Sequence, residues 1–395
     1  MHQRYGSVVR IAPDELSVAD PHAFKEIYRA GGKFIKSELY GVVKGKRKFD
    51  LSGERDEAIH GAQRRLVARA YTKDSMRTLQ ASVDVLIVNF MKKLEQFDGK
   101  SVSLGYWLQL FAFDAIGAVS FSRSFGYVEA GNDNGLFTRL RNSLKSISWL
   151  QHAPWIIYMH NAMMPLIGNW LAFNDRNVYF FEFAKAEVSQ RKEQGGHSKD
   201  IVGQMLATQK EKPELDDTSM AFMMTTNVFA GSDTTATSLR AVILMLLRHP
   251  ATYRRLVDEV FEKRAKGELS DPVTLEESEA WPYLQGVLYE GLRLYPAVGS
   301  SLPRVVPQGG MNIGDHYVPP GTVVGKSAWV INRIPEVWGP DADTYRPERW
   351  LDSRARAELR PYFFTFGSGS RICIGKSRYQ LDGNGKAFTD NPDAF

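Results

Sequence analysis

The chain has 395 residues, a formal net charge of +5, 43% hydrophobic and 24% charged residues, and one cysteine. This is an ordinary globular composition, and one thiol excludes both an internal disulfide and a cysteine-rich zinc site. The basic residues are scattered and build no recognised nucleic-acid module, so no nucleic-acid partner is expected.

No Pro/Ser-rich linker, charge block or internal repeat divides the sequence. A single domain over 1–376 is therefore expected, with a divergent tail over 377–395. No 18 consecutive residues are apolar: 107–119 is interrupted by Gln109 and Asp114, and 155–173 by His160, Asn161 and Asn169. Residues 7–20 and 310–330 read as strands, with β-branched residues between Gly and Pro. Phe24 to Arg29 reads as a short helix. Phe34 to Leu51, rich in Lys and Gly and without periodicity, is expected to be a covering loop. Helical periodicity predicts helices at 55–71, 74–98, 103–119, 134–147 and 173–193. Gly195-Gly196-His197-Ser198 breaks the last of these. Helices follow at 199–209, 217–248, 252–265 and 281–294. The stretch from Trp155 to Trp170 reads either as a partly buried helix–loop or as an apolar surface for a membrane or a channel roof. The expected fold class is mainly α with a small β-region assembled from distant segments.

The cysteine stands in Phe366-Gly-Ser-Gly-Ser-Arg371-Ile-Cys373-Ile-Gly375. Glycines let the backbone approach a flat object closely, Arg371 offers a forked donor suited to a carboxylate, and Phe366 offers an aromatic face. Upstream, Ala230-Gly231-Ser232-Asp233-Thr234-Thr235 interrupts a long helical stretch with small and acidic residues. Asp233 and Thr234 are candidates for a proton relay. Glu290 and Arg293, three apart, share a helix face, and Tyr345-Arg346-Pro347-Glu348-Arg349-Trp350 follows. His60 and Arg64 fall at i and i+4, and Arg304 stands in Ser301-Leu-Pro-Arg304. Seen singly, most of these have bland readings. A lone cysteine is usually structural, an Asp/Thr cluster caps a helix, and His60 with Arg64 reads equally well as a solvated basic face.

In this order and spacing the motifs resemble the cytochrome P-450 family of haem-thiolate monooxygenases. The resemblance runs from about Tyr5 to Lys376. Segments such as Tyr5 to Pro13 and Phe111 to Gly117 are similar to filamentous-fungal members, including the pisatin demethylase group. The resemblance implies the P-450 fold, heme b as cofactor, and Cys373 as the iron ligand. His60, Arg64, Arg304, Phe366 and Arg371 are implied as cofactor-binding, and Asp233 and Thr234 as catalytic. It also implies a buried network of Glu290, Arg293 and Arg349. The implied reaction inserts one oxygen atom from O2 into a lipophilic small molecule, with electrons from NADPH-cytochrome P-450 reductase. Phe222, Thr226, Asn227 and Val298 to Leu302 are candidate substrate-lining residues, and Lys376 and Arg378 candidates for facing the reductase.

Relatives carry an N-terminal anchor in the endoplasmic reticulum membrane and a long helix and hairpin after the cysteine loop. Here Arg4-Tyr5-Gly6 opens inside the first expected strand, and Gly383-Asn384-Gly385 interrupts any helix after Gly375. A chain truncated at both ends is the expectation. An inactive haem-binding remnant and a P-450-fold isomerase or dehydratase needing no reductase are the alternatives. Asp233 and Thr234 together favour oxygen activation over the latter.

Overall fold

Aspartates at 20, 56, 200, 216 and 352 each accept a hydrogen bond from the backbone three residues on, and so start a helix. The computed structural model describes residues 1–45, 47–138, 140–142, 145, 154–168, 175–193 and 199–376. The principal helices are α1 (Pro21–Tyr28), α2 (Glu38–Lys44), α3 (Glu57–Val67), α4 (Gln80–Glu95), α5 (Leu104–Phe121) and α6 (Pro154–Ile167). They continue as α7 (Asp175–Glu193), α8 (Ile201–Glu211), α9 (Asp217–Arg248), α10 (Pro250–Ala265), α11 (Pro282–Leu294) and α12 (Ser353–Leu359). The fold is mainly α, as expected.

Helix α9 is the axis of the molecule. Its 32 residues span about 48 Å, and it packs against α5, α7, α10 and α11. Helix α5 is long and apolar enough to cross a membrane, yet 72% of it is buried inside the protein. The main hydrophobic cluster joins α4, α5, α7, α8, α9 and α11. Asp114, buried within α5, accepts from the backbone N–H groups of Tyr127 and Val128 at 3.1 and 2.8 Å. The break in apolar pattern at Asp114 therefore pins a neighbouring turn without ending the helix.

The strands are β1 (Val8–Ala12), β2 (Glu15–Val18), β3 (Ile35–Lys36), β4 (Arg304–Val305), β5 (Met311–Ile313), β6 (His316–Val318) and β7 (Val323–Gly325). One sheet has the order β1-β2-β7-β4-β3, and β5 and β6 form a separate hairpin. β2 and β7 are parallel; the other pairs are antiparallel. The sheet packs on α1 through Leu16, Val18, Phe24, Tyr28, Val324 and Phe364.

Three expectations change. Phe34 to Leu51 is not an irregular loop: it carries β3 and α2, because pairing with β4 orders a segment with no pattern of its own. The 74–98 helix divides into Lys73–Arg77 and α4. Trp155 to Ile167 is helical throughout, with Ile157 and His160 buried and Trp155, Tyr158 and Leu166 exposed. The glycine break at 195–198, Arg378 and the 377–395 tail lie outside the described residues.

Glu290 and Arg293 are both fully buried on α11. The Arg293 guanidinium donates to both Glu290 oxygens at 2.8 and 2.7 Å, and to the carbonyls of Asn332 and Ala342 at 2.6 Å each. Glu290 also accepts from Arg349 at 3.3 Å, from Trp350 Nε1 at 2.8 Å and from the Arg346 N–H at 3.2 Å. Every lone-pair direction of the carboxylate is used, which is what lets the charge remain inside. Arg293→Ala would strand Glu290 and cost about 3–5 kcal/mol. The expected outcome is a large loss of soluble yield and a lowered Tm. Wild-type yield and Tm for this variant would contradict a structural role.

Candidate functional site

The cysteine loop is shaped by its glycines. Gly367 and Gly369 have φ of 72° and 65°, a region that side chains rarely adopt. At Gly369 a Cβ would also overlap the carbonyl oxygen of Tyr28 at the end of α1. The Cys373 N–H donates to the Phe366 carbonyl at 2.9 Å and the Gly367 N–H to that of Phe364 at 2.9 Å. The loop thus folds back on itself and presents an exposed Cys373. Its base is anchored by Phe364, whose ring lies 4.9 Å from Phe24 and 4.8 Å from Tyr28.

Cations gather beside this loop. Arg64 on α3 donates to the Ile372 carbonyl at 2.9 Å, next to the cysteine. Arg371 runs to the start of α3, donating to Glu57 at 2.7 and 2.9 Å and to the Glu54 carbonyl at 2.7 Å. The structure gives the Arg371 fork to Glu57, where the sequence assigns it to a cofactor carboxylate. Arg304 on β4 is buried and bonds the carbonyls of Leu302 and Pro303 at 3.3 and 3.1 Å. Lys36 on β3 is its direct cross-strand partner. Lys36 is buried too, with Nζ 2.6 Å from the Ser52 carbonyl and 4.5 Å from the Tyr40 ring centre.

The electrostatics follow from this crowding. Burial first, then Arg371, Lys36 and Arg64, depresses the His60 imidazole to about 3, so it is neutral at physiological pH. Burial, then Arg371 and Arg304, lowers the Lys36 ammonium to about 7. Arg64 is lowered by burial, with Cys373 acting against that. The nearby carboxylates are engaged elsewhere: Glu54 with Lys44, Asp50 with Arg47, and Glu57 with Arg371.

Buried cations without counter-charges are costly unless an anion joins them. The site fits a haem on two counts. Its carboxylates would supply negative charge to Arg64, Arg304 and Lys36, with neutral His60 as a hydrogen-bonding neighbour. Its iron needs only one protein donor, and among the described residues no group of three His, Cys, Asp or Glu side chains converges on a point. Of the residues singled out from sequence, His60, Arg64, Arg371 and Cys373 come together around one loop, with Arg304 in the sheet alongside. Phe366 is half-buried beneath it, 6.0 Å from Lys376 Nζ. Lys36 and Tyr40 were missed, since only the β3–β4 pairing brings them there.

The oxygen-motif residues divide. Ala230 is exposed mid-helix, and Thr234 donates its hydroxyl to the Ala230 carbonyl at 2.5 Å. Asp233 instead faces α5, accepting from Gln109 at 3.3 Å. Arg240 donates to Gln109 Oε1 at 2.8 Å and also to the Gly105 carbonyl. Asp233, Gln109, Arg240, Arg141 and Lys145, with Phe137 and Leu140, line a cavity of about 380 Å³. The structure therefore does not place Asp233 and Thr234 on the same side of α9.

Comparison with known proteins agrees with this geometry. The family described as Cytochrome P450 matches residues 1–377. The chain is 50% identical over 396 residues to cytochrome P450 monooxygenase hepC of Aspergillus oryzae, covering 95% of this chain and 77% of that protein. It is 32% identical to a cytochrome P450 monooxygenase of Aspergillus terreus, covering 95% and 80%. It is also 32% identical to cytochrome P450 monooxygenase cicH of Emericella nidulans, covering 97% and 79%. Among solved structures, a cytochrome P450DA heme domain superposes with a TM-score of 0.81 at 19% identity, over 98% of this chain and 83% of that one, which shows a shared fold.

Gly369→Ala tests the loop. It combines a disfavoured φ with a backbone overlap and should cost about 1–3 kcal/mol, read as a lowered Tm. Gly321→Ala is the control: φ there is 83° but the space is open, and a smaller loss is expected. Equal losses would show that the Tyr28 contact does not constrain the loop.

Proposed function

The chain belongs to the cytochrome P450 family, and we propose that it is a heme b monooxygenase drawing electrons from a separate NADPH-dependent reductase. The proposed substrate is a lipophilic small molecule of fungal secondary metabolism. The observation that carries the reading is Cys373, presented by a glycine-shaped loop beside Arg64, with buried Lys36 and Arg304 on the β3–β4 ladder. That the chain is a cytochrome P450 monooxygenase using haem, O2 and a redox partner follows from the family. The substrate, the reductase and the site roles are the proposal.

When bound, haem with a thiolate ligand supplies cleavage of the O–O bond and transfer of one oxygen atom. Cys373 is the proposed ligand. Arg64, which donates to the Ile372 carbonyl beside it, puts positive charge next to the sulfur. Arg64, Arg304 and His60 are the proposed partners of the haem carboxylates, and Phe366 its packing face. Arg371, whose fork is taken by Glu57 and the Glu54 carbonyl, would act by joining the cysteine loop to the start of α3. Thr234 holds a hydroxyl proton at Oγ1 on the exposed stretch of α9, and its bond to the Ala230 carbonyl loads the helix ladder there. Asp233 faces Gln109 and a separate cavity toward α5. The support for oxygen activation over an isomerase chemistry therefore rests on the Thr234 hydroxyl alone.

For location we propose the cytosolic face of the endoplasmic reticulum membrane. Exposed Trp155, Tyr158, Leu166 and Ile167 on α6 support it as an apolar face suited to an interface.

Two expected outcomes check this reading. Cys373→Ala should abolish the thiolate-type absorption spectrum of the reduced, carbonyl-bound protein; persistence of that spectrum refutes the assignment. Thr234→Ala should retain haem but divert NADPH-derived electrons into peroxide and water, lowering product formation by about 10²–10⁴-fold. Unchanged coupling of NADPH use to product would remove Thr234 from proton delivery.

A further inference from the structure

The short β3–β4 ladder sets Lys36 directly opposite Arg304. Like charges at directly paired positions repel, and both residues are buried. Among the described residues Lys36 makes no ion pair; its ammonium has the Ser52 carbonyl at 2.6 Å and the face of Tyr40. The charged and titratable groups around it come from several elements. Arg304 lies on β4, Arg371 on the cysteine loop, neutral His60 and Glu57 on α3, and Asp50 and Arg55, which donates to the Lys36 carbonyl, on the segment between α2 and α3. The two carboxylates among these are taken by Arg371 and Arg47. A lysine in such a place sheds its proton more readily than an arginine can.

We propose that Lys36 binds a haem carboxylate and takes up a proton to do so, making haem loading a proton-consuming step. The inference rests on the haem-monooxygenase reading and deepens it. Without haem, the surrounding cations and burial hold Lys36 near half-charged at about pH 7. A carboxylate arriving between Lys36 and Arg304 would favour the ammonium, and Lys36-NH2, a solvent proton and the carboxylate become one ion pair. The sign is fixed by linkage. A group whose pKa rises on binding strengthens binding below its unbound pKa and progressively less as pH climbs toward its bound pKa. An arginine at this position would contribute no such dependence.

The test starts from holoenzyme. Wild type, Lys36→Arg and Lys36→Met are equilibrated with apomyoglobin between pH 6.5 and 9, and the haem partition is read from the Soret spectra. Ratios between variants cancel the titrations they share, including those of Cys373, His60 and apomyoglobin. The affinity of wild type relative to Lys36→Arg should fall above pH 7 by up to about tenfold per pH unit. Lys36→Met should bind more weakly than wild type at pH 6.5 and then run parallel to Lys36→Arg. A wild-type to Lys36→Arg ratio constant with pH, or a Lys36→Met affinity equal to wild type at pH 6.5, overturns the proposal. The reduced carbonyl spectrum separates the two layers. A thiolate-type band with a constant ratio removes the role of Lys36 and leaves the monooxygenase reading. A pH-dependent ratio without that band does the reverse.

Discussion

Glu290 is the residue on which the arrangement of the site depends. It is a carboxylate with no access to water, and it survives there because Arg293, Arg349, Trp350 and a backbone N–H occupy it from different directions. Those partners come from α11 and from the segment after residue 332, which is built of short helices and turns, with Arg349 and Trp350 in the 3-10 helix Pro347–Trp350. Arg293 passes the constraint on through the Asn332 carbonyl. The Asn332 side chain accepts from the Phe364 N–H at 3.0 Å and donates to Thr365 at 3.1 Å. Thr365 in turn donates to the Leu292 carbonyl at 2.9 Å. One buried charge thereby fixes the base of the cysteine loop. A hydrophobic triad of similar volume could fill the space, but it could not dictate where each carbonyl of the meander points.

A second constraint is electrostatic and works in the opposite sense. Around Glu290 every charge is matched. On the β3–β4 ladder the buried Lys36 and Arg304 stand opposite each other, and among the described residues the nearby carboxylates are paired with other cations. The protein bears a repulsion that an anionic ligand removes. Affinity for such a ligand then comes partly from relief of strain already present in the folded chain, in addition to new contacts.

The helical frame was legible because α5, α9 and α11 carry long apolar patterns with clear caps, such as Asp216 before α9. The cysteine loop was legible because the demands on it are local: glycines at positions of positive φ, an arginine and a thiol within ten residues. The short strand β3 was not. Two residues hold no periodicity, and Ile35 and Lys36 become strand only because Arg304 and Val305 lie beside them. Asn332 was invisible for a similar reason, since nothing around it in sequence marks an amide that will bridge a helix to a loop. The direction of Asp233 was also beyond reach. The sequence places it one residue from Thr234, but a helix turns about 100° between neighbours. Gln109 and Arg240, which hold it, come from elsewhere along α5 and from two turns further on.

The strand order β1-β2-β7-β4-β3 joins residues near 15 to residues near 324, and Gly369 closes on the end of α1. Contacts that distant in the chain carry a large loop-closure entropy and form late. On a ribosome, the helical core around α5 and α9 can assemble while the sheet and the cysteine loop still await their partners. For that interval β1 and β2 pair only with each other and β2 waits for β7, while His60 and Arg64 wait for Arg304 and Arg371. A delay in the arrival of β7 leaves the edge of β2 open to pairing with another chain.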